Sequence, residues 1–241
     1  MSRTPPDGSF DTDALAARYD AMWAEAAPLV RDGGAELDPW LSLPAEDARR
    51  GVTLLARPAP AVAAALAAFL GQLRALEPEQ YYQPQAELHH TVLSLFTATA
   101  DYAPHLENLP EYRAAVADAI AGMPPFTIAV SGVTLACGAV LAQGFPQDGT
   151  LAAMRERLRE ALGARGLGGA LDRRYRLETA HMTLVRFAAP LRDAARFVNA
   201  LAAARAIDFG VSEVDELELV LGDWYHTTER ERELARYPLV R

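Results

Sequence analysis

The sequence of 241 residues contains no lysine, so all 23 of its basic residues are arginines. This absence excludes every mechanism that depends on a side-chain ammonium group. The chain cannot form a Schiff base or a covalent lysyl intermediate, and it cannot contain a phosphate-binding loop that ends in Gly-Lys-Ser/Thr. Its basic groups are guanidinium groups, which make paired hydrogen bonds to phosphate oxygens.

Cysteine and long apolar runs are scarce as well. Cys137 is the only cysteine, which excludes an internal disulfide and a zinc site built from cysteines, so a reducing cytoplasm is the expected compartment. No apolar run approaches the roughly 18 residues that are needed to cross a bilayer, and no membrane partner is expected. Residues 1–8 are polar and lack the basic-then-apolar order of a secretory signal.

Positive charge is in deficit, since the formal net charge is −9. Extended binding along a nucleic-acid backbone depends on many basic phosphate contacts, and the charge argues against it. A small nucleotide or an RNA end held by a local patch is compatible with the composition. Hydrophobic residues make up 51% of the chain and charged residues 23%, which predicts a packed core, and we expect a monomer.

The chain does contain one short motif in two copies. Each copy reads His-x-Thr and continues into apolar, β-rich residues, the pattern of a strand that is buried on at least one side. The paired residues are His89 and Thr91 in the first copy and His181 and Thr183 in the second. Within each pair the two side chains share one face of the strand, because side chains alternate between faces. An imidazole exchanges protons near neutral pH and a hydroxyl donates to anionic oxygens, so two facing pairs would form a metal-free acid/base site for a phosphate.

Periodicity divides the chain into an extension, a main body and a tail. Residues 1–50 are predicted to form a helical N-terminal extension. Residues 51–226 form the main domain, and residues 227–241 form a charged tail with a short helix.

The main domain shows a repeated order of elements. Each half runs helix, loop, His-x-Thr strand, helix and then a strand pair, and the two strand pairs are expected to be hairpins within 126–143 and 206–224. The repetition indicates an internal duplication. It predicts lobes at roughly 51–145 and 146–226, with interleaving of the two left open.

The motifs and their context resemble the two-histidine (2H) phosphoesterase superfamily, which includes the bacterial 2′-5′ RNA ligase and cyclic phosphodiesterase (LigT-like) group. The approach Tyr81-Tyr82-x-Pro84 to the first motif and the ending Leu184-x-Arg186 of the second are similar to the family pattern. The resemblance covers roughly 51–224. It implies a bilobal α+β fold, in which pseudo-two-fold duplicated antiparallel sheets, flanked by helices, face a central cleft.

The resemblance also implies a function. It implies hydrolysis of 2′,3′-cyclic phosphate or 2′-5′ phosphodiester ends of RNA or small nucleotides, reversible as ligation, with no metal and no cofactor. His89 and His181 would be the acid/base pair, and Thr91 and Thr183 would hold the phosphate oxygens. The chemistry needs one imidazole to activate water and another to protonate the leaving sugar oxygen, and the sequence does not assign these two roles.

Other residues near the motifs are weaker candidates. Tyr82 is a candidate for stacking on a base, although a core tyrosine is the simpler interpretation. Arg186 lies on the opposite face from His181 in a regular strand, so it reaches a phosphate only near a strand end or a bulge. His90 has the wrong parity and is expected to be packed. His226 follows the last predicted strand of the domain, where a surface loop is favoured over the cleft.

Two further hypotheses stay open. One is a non-catalytic module of the same fold that binds an RNA end or a nucleotide. The other makes the two motif histidines metal ligands together with Glu87 or Glu178, although a catalytic zinc usually has three protein ligands. Separately, the local basic patch best placed to contact phosphate consists of Arg173, Arg174 and Arg176.

Overall fold

The computed structural model describes residues 12–171 and 177–240. Several helix starts follow from local sequence: Pro60 occupies the first turn of its helix, and the Asp193 side chain caps another by accepting from the Arg196 amide. The α-helices are α1 (Thr12–Arg31), α2 (Pro60–Leu76), α3 (Ala103–Leu106), α4 (Leu109–Ile120), α5 (Thr150–Ala164) and α6 (Ala194–Ala203). The strands are β1 (Arg50–Ala56), β2 (Tyr81–Tyr82), β3 (His90–Thr99), β4 (Phe126–Ala136), β5 (Ala139–Pro146), β6 (Met182–Arg186), β7 (Asp208–Val214), β8 (Glu216–Gly222) and β9 (Arg232–Pro238). Short 3-10 turns occupy Pro39–Ser42, Gln85–Glu87 and Gly168–Ala170.

The strands form two antiparallel sheets. The first has the order β3-β1-β8-β9 and the second has the order β2-β6-β5-β4-β7. The predicted α+β fold with two antiparallel sheets and flanking helices is confirmed. The first His-x-Thr strand, β3, belongs to the first sheet and the second, β6, to the other, so each sheet contributes one motif.

The sheets interleave along the sequence. The first sheet takes strands from both ends of the chain and the second takes strands from its middle. A single cut near residue 145 therefore does not separate two lobes.

The predicted second hairpin does not form. β7 and β8 are separated by Asp215 alone, yet β7 pairs with β4 and β8 pairs with β1. One residue is too short to reverse the chain, because even tight hairpins use two loop residues. The chain therefore runs on from the second sheet into the first.

The charged tail is a strand and not the predicted short helix. Residues Arg232–Pro238 pair with β8 as the edge of the first sheet. Arg236 forms ion pairs with Glu216 and Glu218 on β8 and with Glu233 on its own strand. Cross-strand pairs of opposite charge favour this pairing, and charged side chains protect an exposed sheet edge from further pairing.

The N-terminal helix α1 packs against the second sheet. Tyr19 is fully buried, and its hydroxyl donates to the Gly144 carbonyl on β5 over 3.1 Å. The Thr134 hydroxyl on β4 donates to the Tyr19 carbonyl over 2.8 Å. The helix is thus joined by hydrogen bonds to β5, which pairs with the strand of the second motif, and to β4, the next strand in the sheet. Among the described residues no helix is both long and apolar enough to cross a bilayer.

Candidate active site

Irregular pairing on β3 aligns three hydroxyl groups along the cleft. The register of β3 against β1 shifts several times, and one shift leaves Val92 as the extra residue between Thr91 and Leu93. An extra residue in one strand reverses the parity of the side chains that follow. Thr91, Ser94 and Thr97 consequently line the same cleft at a spacing of three, where a regular strand would use two.

A bulge on β6 has the same effect on Arg186. Leu141 pairs with Thr183 and Val140 pairs with Val185, so Leu184 is the extra residue. Arg186 is therefore shifted onto the face of Thr183 and lines the cleft. In a regular strand Arg186 would face away from His181 and could reach a phosphate only near a strand end or a bulge. The structure contains such a bulge.

The two motifs meet at one cleft between the sheets. Its lining includes His89 and Thr91 of the first motif, His181 and Thr183 of the second, and Arg186. The histidine and threonine of each pair face the same space, as the strand parity predicted. These five side chains bring together two imidazoles, two hydroxyls and one guanidinium, the groups that acid/base chemistry on an anion requires.

His89 is oriented by a backbone carbonyl. Its Nδ1 lies 2.8 Å from the Glu87 oxygen. A carbonyl only accepts hydrogen bonds, so Nδ1 carries the hydrogen and the neutral ring has its lone pair on Nε2. Burial, and then the neighbouring His226, hold the pKa of His89 well below its usual range.

His181 is oriented by a hydroxyl. Its Nδ1 lies 2.7 Å from the Thr179 Oγ1, and a hydroxyl donates or accepts at this distance. Burial, and then the charge of Arg155, lower the pKa of His181 to about 4. Both motif histidines are therefore neutral in the free protein at neutral pH.

His90 is packed, as its parity predicted. Only 1% of the residue is exposed, and its Nδ1 donates to the Ala180 carbonyl over 2.7 Å. Gly144 lies against the same carbonyl, and a Cβ added at Gly144 would lie 2.1 Å from it. The first motif is thereby joined to the residue that precedes His181.

Arg155 on α5 is a structural residue that the two motifs alone do not indicate. It is 3% exposed, and its guanidinium donates to the carbonyls of Val92 (2.8 Å), Thr91 (2.8 Å) and Thr179 (2.9 Å). One side chain thus binds the bulge in the first motif and the approach to the second. The available signal was helical spacing, because Arg155 follows the buried Leu151 by four residues and precedes the buried Leu158 by three.

Tyr82 is not brought to the cleft. It is 4% exposed, its hydroxyl donates to the Glu77 carbonyl over 2.8 Å, and the Arg74 guanidinium lies 5.0 Å from the ring centroid. Tyr82 therefore has the position of a core tyrosine. Stacking on a base would require its ring to face the cleft.

His226 lines the cleft, so the prediction that favoured a surface loop for this residue is wrong. It is 9% exposed and lines the cleft with His89. The two ring centroids are 4.5 Å apart at an interplanar angle of 63°. Sequence periodicity could not show this, because the residue lies in a turn after β8.

The two glutamates that the metal hypothesis adds to the motif histidines are bound to other residues. The Glu87 carboxylate accepts from the Tyr81 hydroxyl (3.2 Å) and from the Thr228 amide (2.8 Å) and hydroxyl (3.0 Å). Glu178 forms an ion pair with Arg18 at the surface. Within residues 12–171 and 177–240, no three histidine, cysteine or acidic side chains are arranged to hold a metal ion. The basic patch at Arg173, Arg174 and Arg176 lies outside the described residues.

Fold and site together define a class: a two-sheet α+β protein in which each sheet contributes one His-x-Thr strand to a shared cleft. Residues 60–223 match the family model described as the 2′-5′ RNA ligase superfamily. This match spans more than half of the chain, and the protein belongs to that superfamily. The resemblance to 2H phosphoesterases is confirmed, and membership supports a phosphodiesterase or ligase type of activity.

Solved structures support the same fold. TT0787 of Thermus thermophilus matches with a TM-score of 0.60 and 18% identity over 78% of this chain and 97% of its own. LigT of E. coli, crystallised with 3′-AMP, matches with a TM-score of 0.51 and 17% identity over 80% of this chain and 99% of its own. No curated protein sequence matches this chain.

The buried histidines predict loss of stability in mild acid. The pKa of His90 falls from the usual 6.5 to about 4 because of burial. Between these values the unfolded chain binds the proton and the folded chain does not, so the free energy of unfolding decreases as the pH falls through this window. The full contribution of His90 is about 3 kcal/mol, from 1.36 kcal/mol per pKa unit.

Urea unfolding at pH 7 and pH 4.5 measures this effect. The wild type is expected to lose more stability between the two values than the His90→Asn variant, which keeps a polar side chain near Ala180 and has no buried imidazole to protonate. Equal losses in the two proteins would show that His90 does not titrate in this window.

Proposed function

We propose that the protein is a metal-independent phosphodiesterase that hydrolyses 2′,3′-cyclic phosphate or 2′-5′ phosphodiester ends of RNA or of small nucleotides. The observation that carries the proposal is the convergence of both His-x-Thr pairs on one cleft. The 3′-AMP complex of LigT, a protein of the same fold, is consistent with a nucleotide ligand.

The reaction uses the two imidazoles in complementary roles. His89, whose lone pair lies on Nε2, removes a proton from a water molecule as the water oxygen bonds to phosphorus. The bond between phosphorus and the leaving sugar oxygen breaks. His181, which takes up a proton when the anionic phosphate binds, donates the proton on its Nε2 to that oxygen and returns to the neutral state. Exchange with solvent then restores both rings. Each proton transfer contributes about 10²–10⁴-fold to the rate.

The role of acid at His181 is consistent with its hydrogen bond. The Thr179 hydroxyl oxygen can accept from Nδ1, so the protonated ring of His181 keeps this hydrogen bond and carries a second hydrogen on Nε2. The carbonyl that contacts His89 holds the hydrogen of the neutral ring on Nδ1 and leaves the lone pair on Nε2. In the reactive state one Nε2 therefore accepts a proton and the other donates one, as a base and an acid must.

The phosphate is bound by neutral and charged donors. Thr91 and Thr183 donate their hydroxyls to the non-bridging oxygens. Arg186 supplies positive charge, and its buried Nε has no hydrogen-bond partner among the described residues. A preorganised donor of this kind stabilises the charge that develops on the oxygens in the transition state. By microscopic reversibility the same groups would catalyse ligation.

The decisive experiment measures hydrolysis of nucleoside 2′,3′-cyclic phosphates in the presence of EDTA. The wild type is expected to release a nucleoside monophosphate, and the His89→Ala/His181→Ala double variant is expected to release none above background. Full activity in the double variant, or loss of wild-type activity on chelation, would refute the proposal. Saturable nucleotide binding without product would favour the non-catalytic binding module.

A further inference from the structure

The turn between β8 and β9 places a third imidazole beside the first motif. His226 lines the cleft, and its ring centroid is 4.5 Å from that of His89. Its Nδ1 lies 3.0 Å from Oε2 of Glu231, whose side chain is 13% exposed. Since Nδ1 is bound to the carboxylate, Nε2 is the nitrogen that remains for the cleft.

The backbone holds His226 in an unfavourable conformation. Its φ is +56°, the left-handed region that residues other than glycine seldom adopt. Such a conformation persists only where the surroundings enforce it, and it is enriched at functional sites. A Cβ added at Gly222 would lie 2.8 Å from the His226 Nδ1, so the space for this ring depends on a glycine.

Hydrogen bonds tie the turn to the first motif. The Asp223 carboxylate accepts hydrogen bonds from the backbone amides of Tyr225 and Thr227, each at a distance of 3.0 Å, and these bonds fix the turn. Thr228 donates to the Glu87 carboxylate, and the Glu87 carbonyl accepts from His89. His226 and His89 are therefore positioned by one connected network.

We propose that His226, held by Glu231, is an acid/base residue of the cleft that shares with His89 the proton removed from the attacking water. The inference rests on the proposed function. The proton leaves the water oxygen as that oxygen bonds to phosphorus, and it resides on the pair of imidazoles. His181 still protonates the leaving oxygen, so no further reactant is needed.

The charges around the pair support this division. Burial, and then the neighbouring His226, keep the pKa of His89 low, so His89 holds a proton poorly in this cleft. A carboxylate hydrogen-bonded to the other imidazole nitrogen stabilises an imidazolium, as in the serine protease triad. His226 contacts His89 and Glu231, and Asp223 lines the same cleft. Beyond Glu231, Arg57 forms ion pairs with both Glu231 and Glu218.

The test compares His226→Asn and Glu231→Gln with the wild type in the cyclic phosphate assay across pH. Asparagine tolerates the left-handed backbone and keeps a polar atom toward Glu231, so the substitution removes mainly Nε2. Both variants are expected to lose kcat/KM, by about 10²-fold for His226→Asn, with a changed pH profile. His105→Asn is the matched control, because His105 stacks on Phe96 at 4.6 Å and does not line the described cleft.

A second readout separates this inference from the proposed function. In an NMR titration of the histidine Cε1–H signals, loss of the neighbouring imidazole is expected to raise the pKa of His89. Wild-type activity in His226→Asn with an unchanged pH profile would overturn the inference and leave the proposed function intact. If the wild type hydrolyses no cyclic phosphate, the proposed function fails. In that case, an unchanged pKa of His89 in the His226→Asn variant would also overturn the proposal that the two imidazoles share a proton.

Discussion

Replacing His89 or His181 with asparagine is expected to lower kcat for hydrolysis of a nucleoside 2′,3′-cyclic phosphate by about 10²–10⁴-fold. Each variant removes the Nε2 that would transfer a proton, while the asparagine side chain keeps a polar atom near the position of Nδ1. The contacts with the Glu87 carbonyl and the Thr179 hydroxyl are therefore disturbed as little as possible. Since Thr91, Thr183 and Arg186 remain, KM is expected to change much less than kcat.

Steady-state kinetics of the two single variants and of the double variant measure this prediction. His105→Asn controls for the loss of a histidine elsewhere in the fold. Because the two residues serve one reaction, the double variant is expected to be little slower than the slower single variant. Single variants that keep more than half of the wild-type kcat would contradict paired-histidine catalysis.

Replacing Arg155 with methionine is expected to lower the free energy of unfolding by about 3 kcal/mol or more, because each buried acceptor left without its donor costs about 1–3 kcal/mol. The guanidinium donates to the carbonyls of Thr91 and Val92 in the first motif strand and to that of Thr179 just before the second motif. The variant is also expected to lose activity under conditions in which it remains folded, since the bulge at Val92 and the approach to His181 lose their common partner.

Urea unfolding and activity assays below the unfolding transition check this prediction. Arg159→Met is the matched control, because Arg159 lies on the same helix and its ion pair is with Glu156 one turn away. A surface pair of this kind contributes about 0–1 kcal/mol. Arg155→Lys is expected to restore only part of the loss, since an ammonium cannot reproduce the planar fork of guanidinium donors. Equal stability of Arg155→Met and Arg159→Met would show that the buried contacts contribute little.

The sequence predicts those features that depend on local periodicity. The parity of His-x-Thr places each histidine beside its threonine, and the same parity separates His90 from the cleft, because one residue turns a strand side chain to the other face. The helices and most strand positions follow from apolar spacing in the same way. The α+β class then follows from the resemblance that the two motifs carry.

Features that depend on long-range pairing could not be predicted. The bulge at Leu184 that admits Arg186 to the cleft is a property of pairing with β5. Helical spacing indicates that Arg155 faces the core, but the three carbonyls that it binds are far away in sequence and no sequence pattern identifies them. His226 reaches the site because β8 lies beside β1 in the first sheet, an arrangement that the predicted hairpin of β7 and β8 did not indicate.

The order β3-β1-β8-β9 has a practical consequence for expression of this protein. The family match begins at residue 60, whereas β1 ends at Ala56. A recombinant fragment trimmed to residues 60–223 would lose β1 and also β9, two of the four strands of the first sheet, and would leave β3 and β8 without their partners. Unpaired edges promote aggregation, so the boundary of homology is a poor guide to the smallest fragment that folds.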